Sequence, residues 1–238
     1  MKQNAIFDKV AVNVAPVAVS APIFVSLYFR LKMNFLAHIF LSGDNELVKI
    51  GNFMADGIRG KDYRHFHPDI QRGIMLHRAI DTFTDAHPVF RKSTKRLHVR
   101  YHHYAGVIVD VFYDHFLAKN WNRFMPGSLR AYVNLFYKSL DRHFDLLTPK
   151  TQQIYPIMLE HNWLLSYATV DGMKSILTQM DRRTGNISNM RFAVEDLTFW
   201  YKHFEYEFHI FFDEIRKFAQ EKLEALEEQE FEYIPQEN

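Results

Sequence analysis

The sequence predicts an all-α protein, a single-domain, bundle-like array of about seven helices. Apolar residues recur at helical spacing from Asn34 onward, and strand-like alternation is nowhere sustained. Only 9 Gly and 8 Pro occur in 238 residues, which favours long elements over many short turns. Apolar residues make up 47% and charged residues 24%, the composition of an ordinary globular protein rather than a disordered one.

Separate segments of the chain carry this helical pattern. The clearest is 105–121, where apolar residues cover most of the circumference and predict a buried helix. The last, 194–226, is long and rich in aromatic residues. No obvious linker follows residue 33, so residues 33–238 are expected to form one domain. The full set of helical segments is 46–55, 69–84, 105–121, 129–143, 151–165, 170–180 and 194–226.

Residues 1–32 are predicted to be an N-terminal extension. Within it, residues 10–29 are apolar and close in length to the roughly 20 residues that a membrane-spanning helix needs. Pro16 and Pro22 weaken a straight helix there. Three interpretations stay open: an apolar anchor, a cleaved signal peptide, or upstream codons translated because the start was assigned too early. A membrane partner is expected only if residues 10–29 act as an anchor.

Charge is unevenly distributed along the chain, although the formal net charge is only +1. The stretch 59–103 holds ten Lys and Arg against four Asp, whereas residues 221–238 hold seven Glu against one Lys. The basic stretch offers a surface to an anionic partner. Because the sequence has no recognised nucleic-acid module, no nucleic-acid partner is predicted. The chain has no cysteine, which excludes disulfides and zinc–thiolate sites and fits a cytoplasmic protein.

Histidine and aspartate are concentrated in four short segments with apolar surroundings. His77 and Asp81 are four residues apart on one predicted helix, and Asp110 and Asp114 are four apart on another, so each pair shares a helix face. Asp110 is the most informative because an ionised carboxylate among apolar residues costs several kcal/mol unless it is paired or bound to a metal. The segments are 34–38 with His38, 51–56 with Asp56, 77–81 with His77 and Asp81, and 110–115 with Asp110, Asp114 and His115.

Each of these residues could also have a purely structural role. Asp81 could pair with Arg78, Asp114 could pair with Lys119, and His38 could be a hydrogen-bonded core histidine. The conjunction of two helices that each present His and Asp is what favours a metal site. Imidazole with carboxylate suits Mn²⁺, Fe²⁺, Zn²⁺ or Mg²⁺. No Glu occurs between Glu46 and Glu160, which argues against a di-iron carboxylate bundle.

These segments resemble the acyl carrier protein phosphodiesterases, which are relatives of the His-Asp metal phosphohydrolases. The resemblance covers about residues 33–121 and is weaker in the C-terminal half. Because family members typically begin at the motif Met-Asn-Phe-Leu-Ala-His, the resemblance implies that residues 1–32 are an extension or come from a start assigned too early. The matching pieces are Met33-Asn-Phe-Leu-Ala-His38, Gly51-Asn-Phe-Met-Ala-Asp56, Gly73-Ile-Met-Leu-His77-Arg-Ala-Ile-Asp81 and Asp110-Val-Phe-Tyr-Asp114-His115.

The resemblance implies a metal-dependent phosphodiesterase that removes the 4′-phosphopantetheine arm from holo-acyl carrier protein. It implies Mn²⁺ as cofactor, with Mg²⁺ or Fe²⁺ as alternatives. The only adjacent pair, Asp114-His115, reverses the His-Asp order of the wider superfamily, so the ligand set stays open. The residues implied are His38, Asp56, His77, Asp81 and Asp110 as metal ligands, and His115, Asp114 and Arg78 as catalytic residues.

A mechanism and a docking mode follow as expectations. His115 or His77 could protonate the leaving serine oxygen, and Arg78 and Arg59 could neutralise charge on the phosphoryl oxygens. The basic stretch 59–103 is expected to dock the acidic carrier protein. Two alternatives stay open: a metal phosphohydrolase acting on a small phosphodiester or nucleotide, and a non-catalytic binding protein for an acidic partner.

Overall fold

A computed structural model describes residues 35–234, and these residues form helices joined by short loops, with no strand among them. The prediction of an all-α fold is confirmed. The apolar stretch 10–29 and the rest of the predicted extension lie outside the described residues. The α-helices are α1 Phe35–Phe40, α2 Glu46–Met54, α3 Pro68–Ala86, α4 Pro88–Tyr101, α5 Ala105–Lys119, α6 Trp121–Phe124, α7 Leu129–Arg142, α8 Pro149–Glu160, α9 Trp163–Ser166, α10 Val170–Arg183, α11 Ala193–Phe199 and α12 Tyr201–Glu227.

Helix α4 was not among the predicted segments, because its many basic residues obscure the helical spacing of its few apolar residues in the sequence. Pro88 occupies its first turn, and the side chain of His87 accepts a hydrogen bond from the Val89 N–H as an N-terminal cap. Phe90 and Leu97 are buried on the inner face at helical spacing. Two predicted segments also divide: 151–165 becomes α8 and α9, and 194–226 becomes α11 and α12.

Helix α5 runs through the interior, as its uniformly apolar sequence predicts. Every residue from Ile108 to Ala118 is buried, and α1, α4, α10 and α12 all contact this helix. Burying a large apolar side chain stabilises the fold by roughly 1.5–3 kcal/mol. The polar residues of α5 are therefore held in the core rather than at the surface. Among residues 35–234, no helix is both long and apolar enough to span a bilayer.

Two glycines let α2 and α3 touch. A Cβ on Gly51 would lie 2.1 Å from the Ile70 carbonyl oxygen, and a Cβ on Gly73 would lie 2.1 Å from the Val48 carbonyl oxygen. No larger residue fits at either position without a backbone shift. Because the two backbones meet here, polar side chains on the facing sides of α2 and α3 come within reach of one another.

Candidate metal centre

Asn52 is completely buried on α2 and fixes the orientation of two histidine rings. Its Nδ2 donates to the His38 carbonyl (3.1 Å) and to Ser42 Oγ (2.9 Å), which makes Oδ1 the acceptor end. Asn52 Oδ1 lies 2.7 Å from His38 Nδ1 and 3.1 Å from His77 Nδ1. Because a carbonyl oxygen can only accept, both rings carry a hydrogen on Nδ1. In the neutral form of such a ring, the lone pair is therefore on Nε2.

Both Nε2 atoms face carboxylates. His38 Nε2 lies 3.5 Å from Asp81 Oδ1, and His77 Nε2 lies 3.6 Å from Asp81 Oδ2 and 3.4 Å from Asp56 Oδ1. The two Nε2 atoms are buried, and within residues 35–234 neither has a hydrogen-bond partner. Burial lowers the pKa of His38, and the His77 ring, stacked at 4.2 Å between centroids, lowers it further. The lone pair of a neutral ring therefore points at carboxylate oxygens, a repulsive contact that an intervening cation relieves.

The donor set matches a divalent metal ion. Donor atoms of His38, His77 and Asp81 all lie within 4.8 Å of one another, the spacing of ligands around one ion. Metal-binding histidines usually donate their second ring N–H to an oxygen acceptor, which is the role of Asn52 here. We refer to His38, Asn52, Asp56, His77 and Asp81 as the histidine cluster. Its residues fit a metal ion.

Asp114, predicted as a catalytic residue, holds the helix that carries His38. Its Oδ2 accepts from the Leu36 N–H (3.0 Å), and its Oδ1 accepts from the Ala37 N–H (2.8 Å). These N–H groups belong to the first turn of α1, where no partner exists within the helix. Burial raises the pKa of Asp114 to about 8, and the two backbone donors oppose that rise. Asp114 is thus placed to fix α1 and, through it, the imidazole of His38.

The structure places the other two residues of α5 as follows. His115 Nδ1 lies 2.7 Å from the Tyr167 carbonyl oxygen and Nε2 lies 2.9 Å from the Tyr201 hydroxyl, so both ring nitrogens have partners outside the histidine cluster. Burial lowers the pKa of His115. Asp110 borders a cavity of about 20 Å³ and is not one of the three residues whose donor atoms meet. Its role as a metal ligand and the catalytic role of His115 stay predictions.

Two cationic side chains lie beside the segment that carries Asp56. Arg78 donates to the Ile58 carbonyl (3.2 Å), and its guanidinium carbon lies 5.1 Å from the centre of the Tyr63 ring. Lys150, in the first turn of α8, lines a pocket together with Asp56. Burial lowers the pKa of Lys150, and the negative charge of Asp56 opposes that shift. Positive charge is therefore available next to the histidine cluster.

Two functional candidates were missed by the sequence analysis. Asn52 lies inside the segment 51–56, and an amide among apolar residues one turn before Asp56 was a usable signal. No sequence pattern indicated Lys150, because its segment is far from the other segments along the chain. Only the packing of α8 brings Lys150 close to Asp56.

The chain is similar to one known family over most of its length. A family model described as acyl carrier protein phosphodiesterase matches residues 33–215. This chain belongs to the acyl carrier protein phosphodiesterase family. The match begins at Met33, and the resemblance noted from the motifs is confirmed. No solved structure matches the chain.

Relatives named for this family align with about four-fifths of the chain. The acyl carrier protein phosphodiesterase of Photorhabdus laumondii is 30% identical over 191 residues, 80% of this chain and 96% of the relative. That of Salmonella paratyphi A is 31% identical over 197 residues, 82% of this chain and 100% of the relative. That of Yersinia enterocolitica is 29% identical over 191 residues, 80% of this chain and 99% of the relative.

Proposed function

We propose that this family member hydrolyses the phosphodiester between the 4′-phosphopantetheine arm and a serine of holo-acyl carrier protein, with a divalent metal ion held by the histidine cluster. The pair of buried Nε2 atoms that face carboxylate oxygens carries the proposal, because a neutral imidazole lone pair in that position calls for a cation. The names of relatives that align with about four-fifths of this chain support the substrate.

The ligands suit Mn²⁺, which the family resemblance implies, and they also suit Fe²⁺ or Zn²⁺. His38, His77 and Asp81 are the proposed ligands, with Asp56 as a further carboxylate next to His77. Mg²⁺ prefers an all-oxygen shell, whereas Mn²⁺ and Fe²⁺ accept imidazole together with carboxylate. A divalent ion here supplies positive charge for the phosphoryl oxygens and makes water a nucleophile near neutral pH.

The hydrolysis itself is a simple exchange at phosphorus. A water molecule loses a proton as its oxygen forms a bond to phosphorus, the bond from phosphorus to the serine oxygen breaks, and the serine oxygen takes up a proton. The products are 4′-phosphopantetheine and the apo carrier protein. In this proposal Arg78 and Lys150 neutralise negative charge on the phosphoryl oxygens. Asp114 acts by positioning α1, and the proton donor predicted at His115 stays a prediction.

The predicted docking region and cellular location enter as further proposals. The basic stretch 59–103 supplies the surface for the acidic carrier protein. A cytoplasmic location fits the absence of cysteine.

The test uses the full-length protein, holo-acyl carrier protein and Mn²⁺, with and without a chelator. Mass spectrometry of the carrier protein should show loss of the phosphopantetheine mass in the presence of Mn²⁺ only. An intact carrier protein from a metal-loaded enzyme would contradict the proposed substrate and favour a small phosphodiester. An intact carrier protein with no metal bound would favour a binding protein.

A matched pair of variants assigns the reaction to the histidine cluster. Asp81→Asn keeps the shape of the side chain and removes its charge, so it should abolish the mass loss. Asp171→Asn makes the same change at an exposed position on α10 and should leave the reaction unchanged. An equal decrease in activity in both variants would contradict the assignment of the reaction to the histidine cluster.

A further inference from the structure

Five of the ten cations of the basic stretch 59–103 form ion pairs within the chain, so part of their charge is already balanced. Arg96 is largely buried and bonds to a buried glutamate through both terminal nitrogens of its guanidinium. The surplus of six positive charges counted in the sequence therefore overstates what this stretch offers. The internal pairs are Arg64 with Glu232, Arg72 with Asp69, Lys92 and Arg96 with Glu207, and Arg100 with Asp196.

Arg91 and Lys95 are different, because they line an open groove of about 440 Å³. Both side chains are exposed. His98, His102 and His103 line the same groove and add hydrogen-bond donors. We refer to these five residues as the basic groove. A volume of this size is within the range of ligand sites.

The basic groove begins one helical turn from the histidine cluster. Asp85 lines the groove, and Arg91 Nε donates to the Asp85 carbonyl (2.8 Å). Asp81 precedes Asp85 by four residues on α3, so the two side chains share a helix face with Cβ atoms about 5–6 Å apart. The groove therefore lies about one helical turn from the residues proposed to bind the phosphate.

Two local features indicate that the groove is built to receive a ligand. His102 has a positive φ of 48°, which is unusual for a residue other than glycine and is typical of functional sites. This conformation ends α4 and turns the chain so that His102 and His103 both line the groove. Thr94 lines it too, and its buried Oγ1 has no hydrogen-bond partner among the described residues.

We propose that the basic groove docks the acidic protein surface beside the modified serine of acyl carrier protein. This inference rests on the proposed function. Two permanent cations and three histidines complement carboxylates. The phosphopantetheine arm has no charge beyond its phosphate, so it gains little from Arg91 and Lys95. The carrier protein's own acidic side chains are therefore the better match.

The test compares two double variants of the full-length protein. Arg91→Glu with Lys95→Glu reverses the cations of the groove. Arg130→Glu with Lys138→Glu makes the same charge change on α7, where both side chains are exposed. For holo-acyl carrier protein the groove variant should raise KM about tenfold with kcat within about twofold, whereas the α7 variant should change neither. Raising the salt concentration should weaken wild-type binding more than that of the groove variant.

Two small substrates separate an effect on protein docking from an effect on the metal site or on binding of the arm. The rate of bis(p-nitrophenyl) phosphate hydrolysis should be the same in the wild type and the groove variant, because this small substrate does not need the basic groove. A p-nitrophenyl diester of phosphopantetheine carries the arm without the protein and should also be unaffected. An unchanged KM for the carrier protein, an equal rise in the α7 variant, or an equal loss on the phosphopantetheine diester would overturn the proposal.

The experiments distinguish an error in the proposed function from an error in the proposed docking site. If the wild type leaves holo-acyl carrier protein intact, the proposed function fails. Fluorescence anisotropy with labelled apo-acyl carrier protein then tests docking alone. Binding that weakens about tenfold in the groove variant supports the groove, and equal binding in both proteins, or none in the wild type, overturns it.

Discussion

Glu207 and the histidine cluster are both buried polar groups in the same helical core, yet their hydrogen bonding differs. Glu207 is 2% exposed, and both of its oxygens are occupied. Arg96 Nη1 and Nη2 donate to it at 2.6 and 2.8 Å, and Ser93 Oγ donates at 2.5 Å. Lys92 Nζ lies 3.3 Å away at the surface. In the histidine cluster, by contrast, two buried nitrogens have no hydrogen-bond partner among the described residues.

The contrast separates a structural cluster from a functional one. In a buried ion pair whose carboxylate oxygens are all hydrogen-bonded, removal of either side chain leaves the other charge buried and destabilises the fold. Buried polar atoms without partners reduce stability, and a bound ion at the histidine cluster would complete the bonding of these two nitrogens. We therefore expect substitutions near Glu207 to change stability and substitutions in the histidine cluster to change metal binding and activity.

The largest effect is expected from Asp81→Asn. Loss of the carboxylate removes a metal ligand and the charge that balances the ion, so kcat/KM should fall by about 10³-fold, which is several kcal/mol of transition-state stabilisation. Elemental analysis of the purified variant should show less bound metal than the wild type. Its melting temperature without metal should match that of the metal-free wild type, and a large drop would contradict a functional role.

Glu207→Gln should give the largest effect on stability. It leaves Arg96 buried without its countercharge, so the free energy of unfolding measured in urea should fall by about 3–5 kcal/mol while kcat of the folded enzyme is unchanged. Burial raises the pKa of Glu207, but hydrogen bonds from Arg96 and Ser93 outweigh burial and lower it overall.

The sign of the Glu207 pKa shift adds a pH dependence to this prediction. Because the pKa is lowered in the folded state, the stability that Glu207 contributes is present above its ordinary pKa of 4.5 and is lost as the pH falls below that value. Unfolding curves of Glu207→Gln should therefore depend less on pH in this range. A variant with the same acid dependence as the wild type would contradict the assigned role of Glu207.

An intermediate effect is expected from Asn52→Ala, which removes the oxygen that holds both imidazoles. Loss of a partner behind metal ligands typically weakens metal affinity by about 10–100-fold. Calorimetric titration with Mn²⁺ measures this change. Ser42→Ala is the control, because it removes one acceptor of Asn52 Nδ2 without touching either ring. Equal affinity in Asn52→Ala and wild type would contradict the role of Asn52.

The smallest effect is expected from Lys150→Gln. If Lys150 neutralises phosphoryl charge, kcat/KM should fall by about tenfold with Mn²⁺ affinity unchanged, and Lys150→Arg should recover part of the loss. Steady-state kinetics on holo-acyl carrier protein report both variants. Lys174→Gln, an exposed change on α10, is the matched control. A loss of metal affinity in Lys150→Gln would show that Lys150 acts on the cluster rather than on the substrate.

Sequence patterns predicted the fold class and the segments of the site better than the contacts within it. The one-turn spacing of His77 and Asp81 predicted a shared face, and the structure places both side chains at one cluster with His38 and Asp56. Periodicity could not say which neighbours the polar residues of α5 face, because that helix is buried all around. The hydrogen bonds from backbone N–H groups of α1 to Asp114 were therefore not predictable from the sequence pattern.

Other features depended on tertiary packing and could not be read from local sequence. The basic composition of 59–103 suggested one docking surface, but five of its ten cations form ion pairs within the chain, whereas Arg91 and Lys95 line the groove. The same composition hid helix α4, whose apolar residues Phe90, Leu97 and Tyr101 are spaced by a helical period. The bridging role of Asn52 needed the contact between α2 and α3 that Gly51 and Gly73 permit.

Histidine side-chain ¹⁵N NMR of the full-length protein tests the central claim most directly. In the metal-free protein His38 and His77 should both be Nδ1–H tautomers, and adding diamagnetic Zn²⁺ should shift only their Nε2 resonances by direct coordination. Assignment by His38→Gln and His77→Gln variants identifies the signals. Nε2–H tautomers, or Nε2 resonances that do not move with Zn²⁺, would contradict a metal site at the histidine cluster.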